Sequence, residues 1–150
     1  MSEVGVITGS ISDSVIMDYC TDTLTEHKID YDTVVASAHR DPDKVRDWVK
    51  GASDRGNKVI IAGAGMSAAL PGVVVSYTDL PVIGVPMRSE LNGLDSLLSI
   101  SQMPRGVPVA CMAIGMHGAI NAALFAKRIL DQIAKSIIKL GDESMGYNNI

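Results

Sequence analysis

An imidazole and a fixed cation stand side by side in the segment Ser37-Ala38-His39-Arg40. Imidazole titrates close to neutral pH and can give or take a proton there, while a guanidinium holds anions well. A lone histidine is usually structural, but this one follows an apolar run of strand length at residues 31–36. The segment is therefore a candidate for acid/base chemistry on an anionic ligand.

A small glycine and serine turn follows the first apolar run, residues 4–8. It contains Gly9 and Ser10, then Ser12 and Asp13, and a helical pattern begins there. Backbone N–H groups and hydroxyls in such a turn can hold a phosphate at a helix N-terminus. The alternative is that Ser12 or Asp13 only caps the helix and that no ligand binds there.

A glycine-rich segment follows the third apolar run. It reads Gly63-Ala64-Gly65-Met66-Ser67-Ala68-Ala69-Leu70-Pro71-Gly72. Its start fits the GxGxxA pattern of dinucleotide sites, but Pro71 interrupts the expected helix and no acidic residue closes the next run at 81–85. The glycines are better suited to letting a small flat ligand approach the backbone, and Met66 is expected to line that pocket.

The histidines and cysteines give no metal-binding pattern. His27, His39 and His117 lack helical ligand spacing, and Cys20 and Cys111 form no CxxC pair. We therefore expect a metal-free enzyme, with both thiols buried and reduced. His27 is expected to face solvent, whereas His117 follows the last apolar run and could overhang a cleft.

Five apolar runs of strand length alternate with helical patterns. The runs are residues 4–8, 31–36, 58–62, 81–85 and 109–113. Helices are predicted to begin at Ser12 or Asp13, at Asp41, near Ser67 and near Gly93, and the last to span about 118–140. This alternation predicts an α/β fold: a three-layer, flavodoxin-like, doubly wound parallel sheet of strand order 2-1-3-4-5 with a long C-terminal helix. In that order, ligands bind beyond the carboxyl ends of strands one and three, and strand two lies beside them.

Length and charge narrow the function classes. The 150 residues, 47% hydrophobic and 20% charged, predict a single catalytic domain over residues 1–150. A net charge of -4 and 4% aromatic residues argue against nucleic-acid or anionic-lipid partners. Without a signal-like or membrane-length apolar run, we expect a cytoplasmic protein.

The last helical segment carries two apolar rows. They are Ala122, Ala126, Ile129, Ile133 and Ile137, and then Ala123, Leu130, Ala134 and Ile138. One row can cover the sheet, so the far end of the helix is expected to pack against another subunit. The alternative is that the helix only covers one sheet face.

Read together, these motifs resemble the PurE family, the carboxyaminoimidazole ribonucleotide mutases and carboxylases of de novo purine biosynthesis. The matching segments are Gly9-Ser10 with Ser12-Asp13, Ser37-Ala38-His39-Arg40 before Pro42, Gly63-Ala64-Gly65, Leu70-Pro71-Gly72, Pro81-Val82-Ile83-Gly84-Val85-Pro86, Gly93 with Asp95-Ser96-Leu97-Leu98-Ser99-Ile100, Gln102-Met103-Pro104 with Gly106-Val107-Pro108-Val109, and Asn121-Ala122-Ala123-Leu124. The resemblance covers nearly the whole chain, and the combination is specific although each segment alone is weak.

The resemblance implies carboxyl transfer on a phosphorylated aminoimidazole ribonucleotide, with CO2 as the transferred group, no cofactor and no metal, in a homo-octamer. It implies that His39 is the acid/base, that Ser10, Ser12 and Arg40 hold the 5′-phosphate, and that Asp13 accepts from a ribose hydroxyl. Ring and CO2 would lie against the backbone of the glycine-rich segment. The remaining implied substrate-binding residues are Gly9, Ser37, Gly63, Ala64, Gly65, Met66, Ser67 and Pro104.

One position departs from the family pattern. Ala69 stands where the bacterial mutases have a second histidine, in Gly-Gly-Ala-Ala-His-Leu-Pro. Ser67 or His117 could compensate. We expect mutase chemistry, which forms 4-carboxy-5-aminoimidazole ribonucleotide from the N5-carboxylated ribonucleotide. The alternatives are direct carboxylation with CO2, a paralogue acting on another nucleotide as in the similar LarB family, and a non-catalytic nucleotide-binding module.

Overall fold

Five parallel strands form the central sheet of the computed structural model, which describes residues 1–145, with side chains described through Leu140. The strands are β1 (Val4–Thr8), β2 (Tyr31–Val35), β3 (Val59–Ala64), β4 (Val82–Pro86) and β5 (Ala110–Cys111). They pair in the order β2-β1-β3-β4-β5. The predicted fold class and strand order are therefore confirmed.

Helices cover both faces of the sheet. They are α1 (Ile11–Glu26), α2 (Pro42–Lys50), α3 (Ala52–Arg55), α4 (Leu70–Val75), α5 (Leu94–Ser101) and α6 (Met116–Met145). One core cluster joins the sheet to α1 and α6, and a second joins it to α2, α3, α4 and α5. None of the helices in residues 1–145 combines the length and apolar character needed to cross a bilayer.

Side chains alternate between the two cores along the central strands. In β1, Val4 and Val6 enter the core of α1 and α6, while Ile7 enters the opposite core. In β3, Val59 and Ile61 alternate in the same way with Ile60 and Ala62. Every residue of β1, β3 and β4 is buried, which explains their continuous apolar sequence.

Several element boundaries differ from the prediction. α4 begins at Leu70 and not near Ser67, because Pro71 suits a first-turn position and Met66 has a left-handed φ of 55°. β5 is confined to two residues, since it lies at the sheet edge and pairs with β4 at those positions. β3 runs to Ala64, two residues past its predicted end, and the short α3 was not predicted.

The cysteine prediction holds for one thiol and fails for the other. Cys20 has no exposed surface, and burial raises the pKa of its thiol to about 12. Cys111 is half-buried, because β5 is an edge strand. His27 is exposed at the end of α1, as predicted.

A polar cluster closes the end of the sheet where the strands begin. The buried amide of Asn57 donates to Asp32 Oδ1 at 2.8 Å and to Ser2 Oγ at 2.9 Å. Arg55 donates to the other oxygen of Asp32 at 2.9 Å, and its guanidinium lies 4.5 Å from the centre of the Trp48 ring. These contacts satisfy the polar groups at this end of the sheet and leave the opposite end for a ligand site.

The long helix α6 starts against the backbone of the preceding loop. It begins at Met116, two residues earlier than predicted, after Gly115 in a left-handed conformation with φ 75°. A Cβ added to Gly118 would overlap the carbonyl group of Ala113. Gly118 is therefore required by the close approach of two backbone segments.

Replacing this glycine is expected to destabilise the fold. Gly118→Ala should lower the free energy of unfolding by about 2–3 kcal/mol or more, because backbone must move to admit the methyl group. Urea denaturation measures the change. The matched control is Gly72→Ala in α4, whose Cβ would meet Met103 Sδ at an ordinary 3.5 Å. The control should be neutral or slightly stabilising. A Gly118→Ala protein as stable as the parent would contradict this account.

Candidate active site

A cavity of about 460 Å³ opens at the carboxyl ends of four strands. The parallel register places Val35, Thr8, Gly63 and Val85 in one row across β2, β1, β3 and β4. The loops that follow these strands therefore leave the sheet at one edge. The predicted site residues that line the cavity are Gly9, Ser10, Ser12, Asp13, Ser37, His39, Arg40, Ala64, Gly65, Met66 and Ser67.

The loop after β1 presents two hydroxyl groups. Ser10 is the extended N-cap residue of α1, with φ -153° and ψ 160°, and its side chain caps no backbone N–H. The oxygens of Ser10 and Ser12 lie 2.7 Å apart, so the two hydroxyls share one hydrogen bond. Both therefore lie at the N-terminus of a sixteen-residue helix, where anions bind favourably.

Asp13 places a carboxyl group between the first and third loops. A Cβ on Gly9 would lie 4.0 Å from one of its carboxyl oxygens, and a Cβ on Gly65 would lie 4.0 Å from the other. Burial raises the pKa of Asp13 above its usual value, and a hydrogen bond with Ser10 opposes that shift. The partial loss of hydration leaves this carboxylate able to accept further hydrogen bonds.

His39 and Arg40 lie in the turn between β2 and α2. The turn is held by Ser37, whose hydroxyl accepts from the Arg40 N–H at 3.2 Å and whose carbonyl accepts from the Asp41 N–H at 2.8 Å. Both side chains are exposed. Among the side chains that the structure describes, through Leu140, neither the imidazole nor the guanidinium has a hydrogen-bond or ion-pair partner, so both are available to a ligand.

The glycine-rich segment forms the wall opposite Asp13. Met66 adopts its left-handed φ of 55° and is 62% exposed, so its side chain stands over the cavity. Ala68, Ala69 and Leu70 line the cavity beyond it. This part of the wall presents mainly apolar methyl and methylene groups to the cavity, and Ser67 adds a hydroxyl group.

Gly63 is not among the residues that line the cavity, and its binding role stays a prediction. A Cβ there would come within 2.7 Å of Met17 Sδ and of Met87 Cε, and the carbonyl accepts from the Gly9 N–H at 3.1 Å. Gly63 thus packs beneath the cavity floor and joins β3 to the loop after β1.

Pro104 and His117 also lie away from the cavity of this chain. Pro104 is exposed in the loop after α5, and His117 is exposed in the first turn of α6. Neither residue is among those that line the cavity, so the binding role of Pro104 stays a prediction. Among the described residues, no cluster of His, Cys, Asp and Glu side chains is suited to hold a metal ion.

Arg88 and Ser89 line the cavity and were missed by sequence reasoning. They follow β4, whose end is fixed because the Met87 N–H donates to the Ala64 carbonyl at 2.9 Å. The signal was available, since the rule that ligands bind at strand carboxyl ends applies to this strand as well. The motifs singled out from the sequence follow the first three strands and the fifth, and none follows β4.

Comparison with known proteins is consistent with this geometry. A sequence model of the family described as AIR carboxylase matches residues 3–143. The chain belongs to the AIR carboxylase family. The PurE resemblance and its fold are thus confirmed.

Relatives of this AIR carboxylase family member are closely similar. This chain is 51% identical over 141 residues to the N5-carboxyaminoimidazole ribonucleotide mutase of Bacillus subtilis, and the match covers 93% of this chain and 87% of the relative. The mutase of the same name from Saccharolobus solfataricus is 53% identical over 148 residues, covering 95% and 92%. The crystal structure of Treponema denticola PurE superposes with a TM-score of 0.79 at 28% identity, covering 99% of this chain and 92% of that one.

The raised pKa of Asp13 predicts that this carboxylate costs stability. Below about pH 3.9 the group is protonated in both folded and unfolded states, so the cost is absent there. As the pH rises, the unfolded state ionises first, and stability falls until the folded state has also lost its proton. Asp13→Asn should therefore melt at a higher temperature than the parent at pH 7. The gain in the free energy of unfolding should be less than about 1 kcal/mol, because solvent screens a half-buried group.

Thermal melts between pH 3 and pH 8 measure this difference, which should vanish at the acid end. Asp18→Asn, exposed on the same helix, is the matched control and should show no such pH-dependent gain. A parent protein more stable than Asp13→Asn at pH 7 would show that Asp13 is stabilised by its surroundings instead.

Proposed function

We propose that this chain is an N5-carboxyaminoimidazole ribonucleotide mutase of de novo purine biosynthesis, forming 4-carboxy-5-aminoimidazole ribonucleotide. One observation carries the proposal: a single cavity gathers His39, Arg40, two serine hydroxyls and a glycine-lined wall in a chain half identical to mutases of that name. The substrate is a phosphorylated aminoimidazole ribonucleotide, and the cavity offers groups matched to each of its parts.

The anionic end of the substrate fits the loops after β1 and β2. We assign the 5′-phosphate to the hydroxyls of Ser10 and Ser12 and to the guanidinium of Arg40, with Ser37 beside them. The helix N-terminus and the Arg40 guanidinium, which has no partner among the described side chains, support this assignment, since both favour a phosphate. The carboxylate of Asp13 then accepts from a ribose hydroxyl.

The ring fits against the glycine-rich wall. Gly9, Ala64 and Gly65 allow a flat ligand close to the backbone, while Met66 and Ser67 stand at the cavity edge. This arrangement leaves the imidazole of His39 facing the substrate. A ring held between backbone and a titratable side chain can exchange protons with it at fixed positions.

His39 performs both proton transfers in the proposed reaction. The bond between N5 and its carboxyl carbon breaks, CO2 leaves, and the electron pair stays on N5, which takes a proton from the imidazolium. Ring carbon C4 then attacks CO2, and the neutral imidazole removes the C4 proton. His39 ends in its starting state, so the net reaction is an isomerisation and needs no cofactor.

The mutase proposal is favoured over its alternatives by the relatives. The closely similar full-length relatives carry the mutase name, and the family match covers nearly the whole chain. Ser67 lines the cavity and can donate where the family has a second histidine, whereas His117 lies elsewhere in this chain. The single catalytic domain and the cytoplasmic location expected from the sequence stay predictions.

Loss of the imidazole is expected to abolish turnover while leaving binding intact. His39→Asn should lower the rate by about 10²- to 10⁴-fold, because proton transfer loses its carrier, and should still bind the ribonucleotide.

A labelling experiment tests whether CO2 is retained: the substrate carries a label in its N5 carboxyl, with excess unlabelled bicarbonate present. The parent enzyme should pass most of the label to the 4-carboxy product at early times.

His27→Asn, exposed at the far end of α1, is the matched control and should keep the full rate. A His39→Asn enzyme of near-normal rate would remove this residue from the mechanism. Product carrying the isotopic composition of the bicarbonate pool would reject a mutase that retains CO2, and product formed from the unmodified ribonucleotide and bicarbonate would identify a direct carboxylase.

We also propose that the chain forms a homo-octamer. Ala122 and Ala126 of α6 are buried on the sheet, whereas Ile137, Ile138 and Leu140 are 64%, 65% and 66% exposed. An apolar surface of this kind favours contact with another subunit. The helix is about 45 Å long at 1.5 Å per residue, so its second half extends beyond the sheet.

Charges on this surface are expected to break the assembly. Sedimentation velocity should give an octamer for the parent chain and a smaller species for the double variant Ile137→Asp with Ile138→Asp. Ser136→Asp, an exposed polar position on the same helix, should leave the octamer intact. A parent chain that sediments as a stable monomer would overturn the proposal.

A further inference from the structure

One buried carboxyl oxygen stands out near the cavity. Asp95 Oδ1 is the single buried side-chain nitrogen or oxygen among the described residues that has no hydrogen-bond partner. Its other oxygen, Oδ2, accepts from the Ser89 hydroxyl at 2.9 Å. Buried oxygens without a partner are uncommon and call for an explanation. The Ser89 contact links this carboxyl group to the cavity wall.

The loop that carries Ser89 is fixed at both of its ends. Met87 at its start donates its N–H to Ala64 and accepts at its carbonyl from the Ser96 hydroxyl at 2.6 Å. At its end, the Asn92 N–H donates to the Ser89 carbonyl at 2.8 Å, and Gly93 turns into α5 with φ 87°. Ser89 is thus placed on the cavity wall by a loop that is anchored at both ends.

The bond to Asp95 fixes the polarity of the Ser89 hydroxyl. A carboxylate accepts hydrogen bonds and donates none, whereas a hydroxyl has one proton and two lone pairs. As long as the Ser89 proton is held by Asp95, the Ser89 oxygen can only accept from any further partner. A ligand that meets Ser89 must therefore offer an N–H or O–H group.

We propose that Ser89, with its proton held by Asp95, is the residue that recognises the exocyclic amine of the aminoimidazole ring. This inference rests on the proposed function. The phosphate-binding features lie after β1 and β2, and β4 lies two strand spacings from β1, or about 10 Å. The ring end of the ribonucleotide therefore extends toward the loop after β4, where Ser89 accepts an N–H of the amine. Ser89 contacts the ligand, and Asp95 is a positioning residue.

Two nucleotides that differ in one group test the proposal by calorimetry. They are 5-aminoimidazole ribonucleotide and the same ribonucleotide with hydrogen in place of the amine. Ser89→Ala should weaken binding of the amine-bearing ligand by roughly 3- to 10-fold, the effect of one net hydrogen bond, and leave the other ligand unchanged. The matched control is Ser99→Ala, an exposed serine of α5, which should change neither affinity.

A double-mutant cycle tests the positioning role of Asp95. Asp95→Ala should reduce the affinity ratio of the two ligands, and the double variant should have the ratio of Ser89→Ala alone. Fully additive effects would show that the two residues act independently and would overturn the role of Asp95. If Asp95→Ala fails to fold, the ratio for Ser89→Ala still decides the assignment of Ser89.

The outcomes separate this proposal from the proposed function. A Ser89→Ala protein that weakens both ligands equally, or neither, overturns amine recognition even where the parent catalyses carboxyl transfer. A parent protein that binds neither ribonucleotide and gives no product overturns the proposed function and this inference with it.

Discussion

The functional end of this protein depends on the in-register pairing of its parallel strands. β1 lies between β2 and β3, and the row through Thr8, Val35, Gly63 and Val85 makes the strands end together. Four loops that are distant in sequence consequently meet at one sheet edge. In β1, β3 and β4 the row holds because these strands are buried on both faces, where a one-residue slip would exchange the side chains of the two cores, and the more exposed β2 keeps its place by pairing with β1. Core packing therefore determines where the serines, the imidazole and the carboxylate stand.

The two ends of the sheet are treated in opposite ways. At the end where the strands begin, Asn57, Asp32 and Arg55 satisfy one another, and this cluster contributes to stability. At the other end, the Asp13 carboxylate is partly desolvated and Met66 occupies a left-handed conformation that non-glycine residues disfavour. Lys28 and Asn92 are also left-handed and lie outside the cavity, but the partly desolvated Asp13 carboxylate and the side chains of His39 and Arg40 all line it, where a ligand can supply partners.

One physical reason explains why the sequence predicted both the sheet order and most of the residues that line the cavity. Continuous apolar runs must be covered on both faces, and parallel strands with helical crossovers leave a ligand edge at their carboxyl ends. The sequence could not predict that Met17 and Met87 pack against Gly63, because these are tertiary contacts. The binding role of Pro104 stays a prediction, since Pro104 lies in an exposed loop outside the cavity of this chain. Arg88 and Ser89 were within reach, because they also follow a strand.

The alanine at position 69 is compatible with mutase chemistry for a reason that lies in the transferred group. In the proposed reaction CO2 must remain near the ring between its release from N5 and its capture by C4. CO2 carries no net charge and no hydrogen-bond donor, so an apolar wall can hold it without a charged partner. Ala68, Ala69 and Leu70 form such a wall. A second imidazole there would donate a hydrogen bond to a carboxylate, but in the proposed reaction His39 already carries out both proton transfers. In the proposed reaction, Ala69 therefore removes a contact but no group that transfers a proton.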